Sequence, residues 1–314
     1  MKSTGTLKVG VVFPHATIEP DAGAIARYVR AVEDLGFSHF LCYDHVIGAN
    51  RASRPGWKGY DLDSAFYEPM SLLSFIAGIT TRIGIATGVL ILPQRQTVLV
   101  AKQAATLDLL SNGRLRLGVG TGWNDVEYEA LGMDFRGRGA CFDEQIDVLR
   151  RLWTERAVTI ETPRHRIVDA GIFPLPVQRP IPLWLGGGGV HPIKGWAHSE
   201  PVIRRIARKA DGWMPTFAPD ADAAAMVERL RDYCREYGRD PASIGIEALL
   251  IPRQGLDWAA HARAWQQLGA THLCCNCAVD GISGVAANLR RLEAIREVLT
   301  VAGLFESPAP GERP

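Results

Sequence analysis

Residues 113–138, GRLRLGVGTGWNDVEYEALGMDFRGR, decide the fold. Leu115, Leu117 and Val119 alternate with Arg116, Gly118 and Gly120, the two-residue period of a strand with one apolar face. The strand runs into Gly120-Thr121-Gly122-Trp123, where small residues let a backbone approach a ligand and the indole offers a flat ring. Taken alone, Gly-x-Gly is explained well enough by a tight turn after a strand.

Toward the N-terminus the same unit recurs. Residues 8–13 read as an apolar strand, and Asp21 caps a helix with Ile25, Val29 and Val32 on one face, stopped at Leu35-Gly36. A strand over 39–43 ends in Asp44-His45. Residues 47–66 are irregular and rich in Gly, Arg, Ser and aromatics; a loop of that length in a compact domain is usually functional, so a lid is expected. Helix 69–79, strand 83–92 and helix 97–110 follow, the last with Val98, Ala101, Ala105 and Leu109 expected to face inward.

Downstream, Phe142, Ile146, Leu149 and Trp153 mark a fourth helix, and residues 162–182 read as an irregular insertion. A fifth strand over 183–186 opens into Gly186, Gly187, Gly188 and Gly189. Helix 202–210, strand 212–217, a helix ending at Gly238, strand 244–251, helix 258–268, strand 271–278 and a last helix through Leu299 complete the pattern. Strand and helix alternate about eight times, which calls for a parallel sheet with crossover helices. Eight units in 314 residues fit a closed α/β (β/α)8 TIM barrel, one domain over residues 1–304 with a flexible tail at 305–314. No Gly-x-Gly-x-x-Gly occupies the first strand–helix turn, which removes the main support for an open dinucleotide-binding sheet.

A TIM barrel carries its site at the C-terminal ends of its strands. Asp44, His45, Thr87, Gly88, Val89, Thr121, Gly122, Trp123 and the glycines 186–189 are therefore expected around one mouth. An acid beside an imidazole can orient it and raise its proton affinity, which makes Asp44 and His45 the catalytic candidates. A glycine-rich turn ahead of a helix is a phosphate cradle, although the polar residues 191–200 delay that helix. Cys275 and Cys277 share one strand face while Cys274 points to the other, so these thiols read as small buried hydrophobes and no metal is assigned.

The net charge of +1 gives no global field for nucleic acid or a membrane surface, and no apolar run reaches the length of a span. The start MKSTGTLKVG lacks a signal peptide's apolar core, so a cytoplasmic location with six reduced cysteines is expected.

The run of Gly-Arg, Gly-Val-Gly-x-Gly-Trp, Asn124, Glu127, Leu131-Gly132 and Phe135 resembles the signature of the luciferase-like monooxygenase superfamily, and within it the branch of coenzyme F420-dependent oxidoreductases. The resemblance covers residues 9–299, more weakly after 189. It implies a deazaflavin cofactor (coenzyme F420), with FMN as the alternative, and a small organic substrate. It also implies that Asp44-His45 lies beside the reacting edge of the ring, that Thr87, Gly88 and Val89 back the ring on a bulge, and that the phosphate lies near Gly186, Gly187, Gly188 and Gly189. Two departures stand out: Thr121 replaces a phosphate-pairing arginine of many flavin relatives, and Trp123 replaces an acid of the sugar-phosphate dehydrogenases. Three functions stay open: hydride transfer with F420, an FMNH2-dependent monooxygenase served by a flavin reductase, and a flavin-binding barrel without turnover. A partner reductase of flavin or F420 and a homodimer are the candidate associations.

Overall fold

Strand β5 (Leu115–Gly120) pairs with β3 (Gly84–Thr87) on one side and with β8 (Leu183–Gly186) on the other, both parallel. The computed structural model describes residues 6–188, 200–278 and 281–305. From β8 the parallel pairing continues through β9 (Gly212–Met214), β10 (Gly245–Leu250), β11 (His272–Cys275), β1 (Lys8–Val12) and β2 (His39–Cys42) back to β3. The sheet closes on itself. The third stave is made of two pieces, β3 and β4 (Leu90–Ile91), so the expected strand over 83–92 breaks at Gly88-Val89, whose peptide bond is cis.

Helices α1 (Ala22–Asp34), α2 (Pro69–Ile79), α3 (Thr97–Leu110), α4 (Asp125–Ala130), α5 (Arg138–Thr154), α6 (Glu200–Lys209), α7 (Ala221–Glu236), α8 (Trp258–Leu268) and α9 (Val285–Val301) lie between the staves. Local signals set their ends. Asp21 accepts from the N–H groups of Gly23 and Ala24 at the start of α1, and Gly269 takes the left-handed cap of α8 at φ +99°. The large apolar core lies between helices and sheet, whereas Val12, Leu41, Ala86, Trp184, Met214 and Cys274 form a smaller one inside the barrel. Cys275 and Cys277 join the outer core, where burial raises their thiols, Cys277 to about 12.

Polar groups fill the lower half of the barrel. Glu247 pairs with Arg116 at 2.7 Å and with His39, whose Nδ1 accepts from Ser38 at 2.7 Å. Burial works to raise the Glu247 carboxyl, but Arg116 and His39 outweigh it and bring it to about 2. Burial pulls His39 down, so it is the neutral imidazole that donates Nε2–H to Glu247. Arg116 also lies 4.2 Å above the Trp184 ring.

Three local expectations need correction. In α3, Val98 and Leu109 face solvent while Val100, Ala104 and Leu107 are buried with Ala101 and Ala105. That helix is apolar on nearly every side, so its periodicity does not pick a face. The insertion before the fifth stave holds an antiparallel hairpin of β6 (Val158–Glu161) and β7 (Arg166–Ala170). Because β7 lies largely in solvent, it lacks the alternation that would mark it as a strand. Phe305, assigned to the tail, bridges to Leu7 and packs edge-on to Phe37. The rest of that tail and Gly189 lie outside the described residues.

Candidate active site

A cavity of about 520 Å³ opens at the C-terminal ends of the staves. The break between β3 and β4 shapes one wall. A Cβ on Gly120 or on Gly186 would come within 2.6 Å of a Val89 methyl, so these two glycines make room for Val89 to project into the wall. Gly88, Val89, Thr121, Gly122, Trp123, Gly186 and Gly187 all line the cavity. Thr87 does not: it is fully buried, and its hydroxyl donates to the Gly118 carbonyl at 2.6 Å, pinning β3 to β5. Gly188 is buried against Ile203 and Trp213 and is also absent from the lining.

His45 lies in the cavity, and the acid that holds it is Glu127. Glu127 Oε1 accepts from His45 Nδ1 at 2.8 Å and from the N–H of Val46 at 3.3 Å, while Oε2 accepts from Gln94 at 3.2 Å. Asp44, the expected partner, also lines the cavity but does not bond His45. Its carboxylate accepts from Arg95 Nη2 at 2.7 Å and from the N–H of Ile91 at 2.9 Å. Both residues follow the end of β2, and their side chains take different partners, His45 on Glu127 and Asp44 on Arg95. Asp44 thereby ties the end of β2 to β4, while His45 is held by Glu127.

Aromatic rings cap this dyad. Tyr60 and Phe66 lie 4.2 and 4.8 Å from the His45 ring, and Trp123 lies 6.0 Å away. Trp57 stacks on Trp123 at 6.0 Å. Both indoles close over Gly59, where a Cβ would meet them at 2.5 and 2.6 Å. The segment 47–66 therefore reaches the mouth through Tyr60 and is tied together by a bridge between Ala49 and Asp61. Across the cavity, Asn276 donates to the Tyr43 hydroxyl at 3.1 Å. Burial raises the Tyr43 phenol, so it stays protonated. Among the described residues, neither Lys nor Arg lines the cavity.

The luciferase-like monooxygenase family profile matches residues 7–272. The chain belongs to that family. It is similar to an uncharacterized protein of Mycobacterium tuberculosis, 29% identical over 277 residues, which span 86% of this chain and 92% of the relative. An F420-dependent glucose-6-phosphate dehydrogenase of Segniliparus rotundus is 29% identical over 258 residues, 78% of this chain and 69% of that one. Among solved structures, the F420-dependent tetrahydromethanopterin reductase of Methanopyrus kandleri superimposes with a TM-score of 0.67 at 17% identity, covering 91% of this chain and 97% of that one. The monooxygenase RslO1 of Streptomyces bottropensis gives 0.71 at 19%, covering 94% and 99%. At those identities the structural likeness speaks for the fold.

Glu127, Tyr60, Tyr43 and Asn276 were not among the candidates read from sequence. A signal existed for Glu127 alone. It stands three residues after the N-cap Asn124, the place of a capping-box acid, a local reading that gives no hint of its reach to His45. One group of metal-type ligands occurs among the described residues: His39, Glu247 and Cys274 bring ligand atoms within 4.8 Å of one another. Arg116 already supplies the cation there, and its charge opposes a metal ion.

Proposed function

We propose that this family member is an oxidoreductase that passes a hydride between coenzyme F420 and a small organic substrate. The observation that carries the choice of cofactor is that neither Lys nor Arg is found among the described residues lining the cavity, with Thr121 at its mouth. A compact mononucleotide brings its phosphate close to the ring and relies on a charge-assisted contact there. The deazaflavin coenzyme carries at that place a phosphodiester with a single negative charge, and its remaining acidic groups lie on a longer tail that reaches past the mouth. The F420-dependent relative at 29% identity supports the same choice.

The wall fits a flat ring. Gly120, Gly122, Gly186 and Gly187 put no side chain into the chamber, and Val89 gives the ring a rigid back. When bound, the deazaflavin supplies a two-electron hydride acceptor; the remaining work belongs to the chain. His45 Nδ1–H is donated to Glu127, which leaves Nε2 as the base for a hydroxyl proton. The aromatic cover over His45 keeps water from the reacting atoms. A barrel that only stored a flavin would need neither the buried dyad nor the cover.

The test is a stopped-flow mixture of the protein, oxidised F420 and a panel of small alcohols. Bleaching of the deazaflavin absorbance that disappears in His45→Ala supports the reading. An FMNH2-dependent oxygen uptake that needs an added flavin reductase would replace it with the monooxygenase alternative.

A further inference from the structure

The walls around His45 also limit the substrate. Glu127 is 1% exposed, and its partners are His45, the Val46 N–H and Gln94, none of them a fixed cation. Asp44 is matched by Arg95, which does not line the cavity. The field at the imidazole is therefore set by carboxylates, with no Lys or Arg among the described lining residues to oppose them. A carboxylate or phosphate brought there would lose its hydration and gain no counter-charge. The facing surface is aromatic: Tyr60 lies over His45, and Trp123 is 52% exposed beside it. Ring faces accept flat apolar groups and repel anions.

We infer that the substrate is a ring-bearing alcohol or ketone without negative charge, packed on Trp123 and Tyr60 with its oxygen at His45 Nε2. This rests on the hydride-transfer reading above. In the oxidative direction the carbinol C–H leaves as hydride to the oxidised deazaflavin, the hydroxyl proton goes to His45 and the C=O bond forms. Trp123 and Tyr60 are then specificity-determining residues, and the sugar-phosphate chemistry of the Segniliparus relative does not carry over to this chain.

Two probes of one shape test the inference: benzyl alcohol and 4-(hydroxymethyl)benzoate, titrated by NMR line broadening into F420-loaded and cofactor-free protein, with kcat/KM measured alongside. Benzyl alcohol should bind at least tenfold more tightly than the carboxylate, and Trp123→Lys should narrow that gap at least fivefold by placing a cation on the wall. Equal or tighter binding of the carboxylate overturns the inference, and so does failure of benzyl alcohol to bind either form. If benzyl alcohol is preferred in cofactor-free protein while F420 does not bind, the hydride-transfer reading falls and the substrate assignment stands.

Discussion

Glu127, buried in the first turn of α4, holds the His45 ring through a 2.8 Å hydrogen bond to Nδ1, across 82 residues of sequence. A carboxylate in that place fixes the tautomer and stabilises the imidazolium that forms when Nε2 takes a proton.

Glu127→Gln keeps the shape and removes the charge. Turnover should fall about 10–100-fold while cofactor affinity stays within about threefold. Steady-state kinetics together with a cofactor titration checks this. Unchanged turnover with lost cofactor binding would make Glu127 structural.

Asp44→Asn should act on stability more than on chemistry. It leaves the partly buried Arg95 with Glu68 as its remaining carboxylate and weakens the tie between β2 and β4, costing about 1–3 kcal/mol. Chemical denaturation measures the loss. A drop in turnover as deep as that of Glu127→Gln, at intact stability, would restore Asp44 to the proton path.

His15 sets a pH window for stability. It is 5% exposed, and the backbone N–H groups of Tyr43 and Tyr67 point at its two ring nitrogens at 3.2 and 3.3 Å. Burial first, and the nearby His45 second, lower it from 6.5 to about 4. Between those values the unfolded chain binds more protons than the folded one, so stability falls as pH drops from 6.5 toward 4 and is fully present above 6.5. The contribution is at most about 3 kcal/mol. His15→Asn should flatten the fall in melting temperature between pH 7 and pH 4. The buried His39 and His272, also held low by burial, leave a residual slope. An identical slope in the variant would remove His15 from the account.

Two glycines should respond in opposite directions. A Cβ on Gly118 would overlap the Thr87 carbonyl oxygen, so Gly118→Ala should cost about 3 kcal/mol by overpacking. Gly78 sits exposed in α2 with nothing within 4 Å of an added Cβ, and Gly78→Ala should gain about 0.5–1 kcal/mol from backbone entropy. Thermal melts of both variants decide the matter; a neutral Gly118→Ala would mean the β3–β5 contact yields easily.

The barrel was legible in the sequence because its units are local. Capping at Asp21, the left-handed stop at Gly36 and the two-residue period of β5 each act over a few residues. The mouth followed from the rule that places barrel sites, which put His45, Val89 and Trp123 on one cavity. What escaped depends on distant contacts. The His45–Glu127 pair, the network of Glu247 with Arg116 and the Trp57–Trp123 stack join residues far apart in the chain, and no local pattern records them. The inward face of α3 escaped for another reason: where nearly every side is apolar, packing and not periodicity selects the buried one.

The choice of cofactor is the central claim, and one titration tests it most directly: binding of F420 and of FMN to cofactor-free protein, each at low and high salt. F420 should bind at least tenfold more tightly than FMN. Its affinity should fall as salt rises, because the contacts of a long acidic tail at an exposed rim are screened. Tight, salt-insensitive binding of FMN with no measurable binding of F420 would contradict the account and make the monooxygenase reading the correct one.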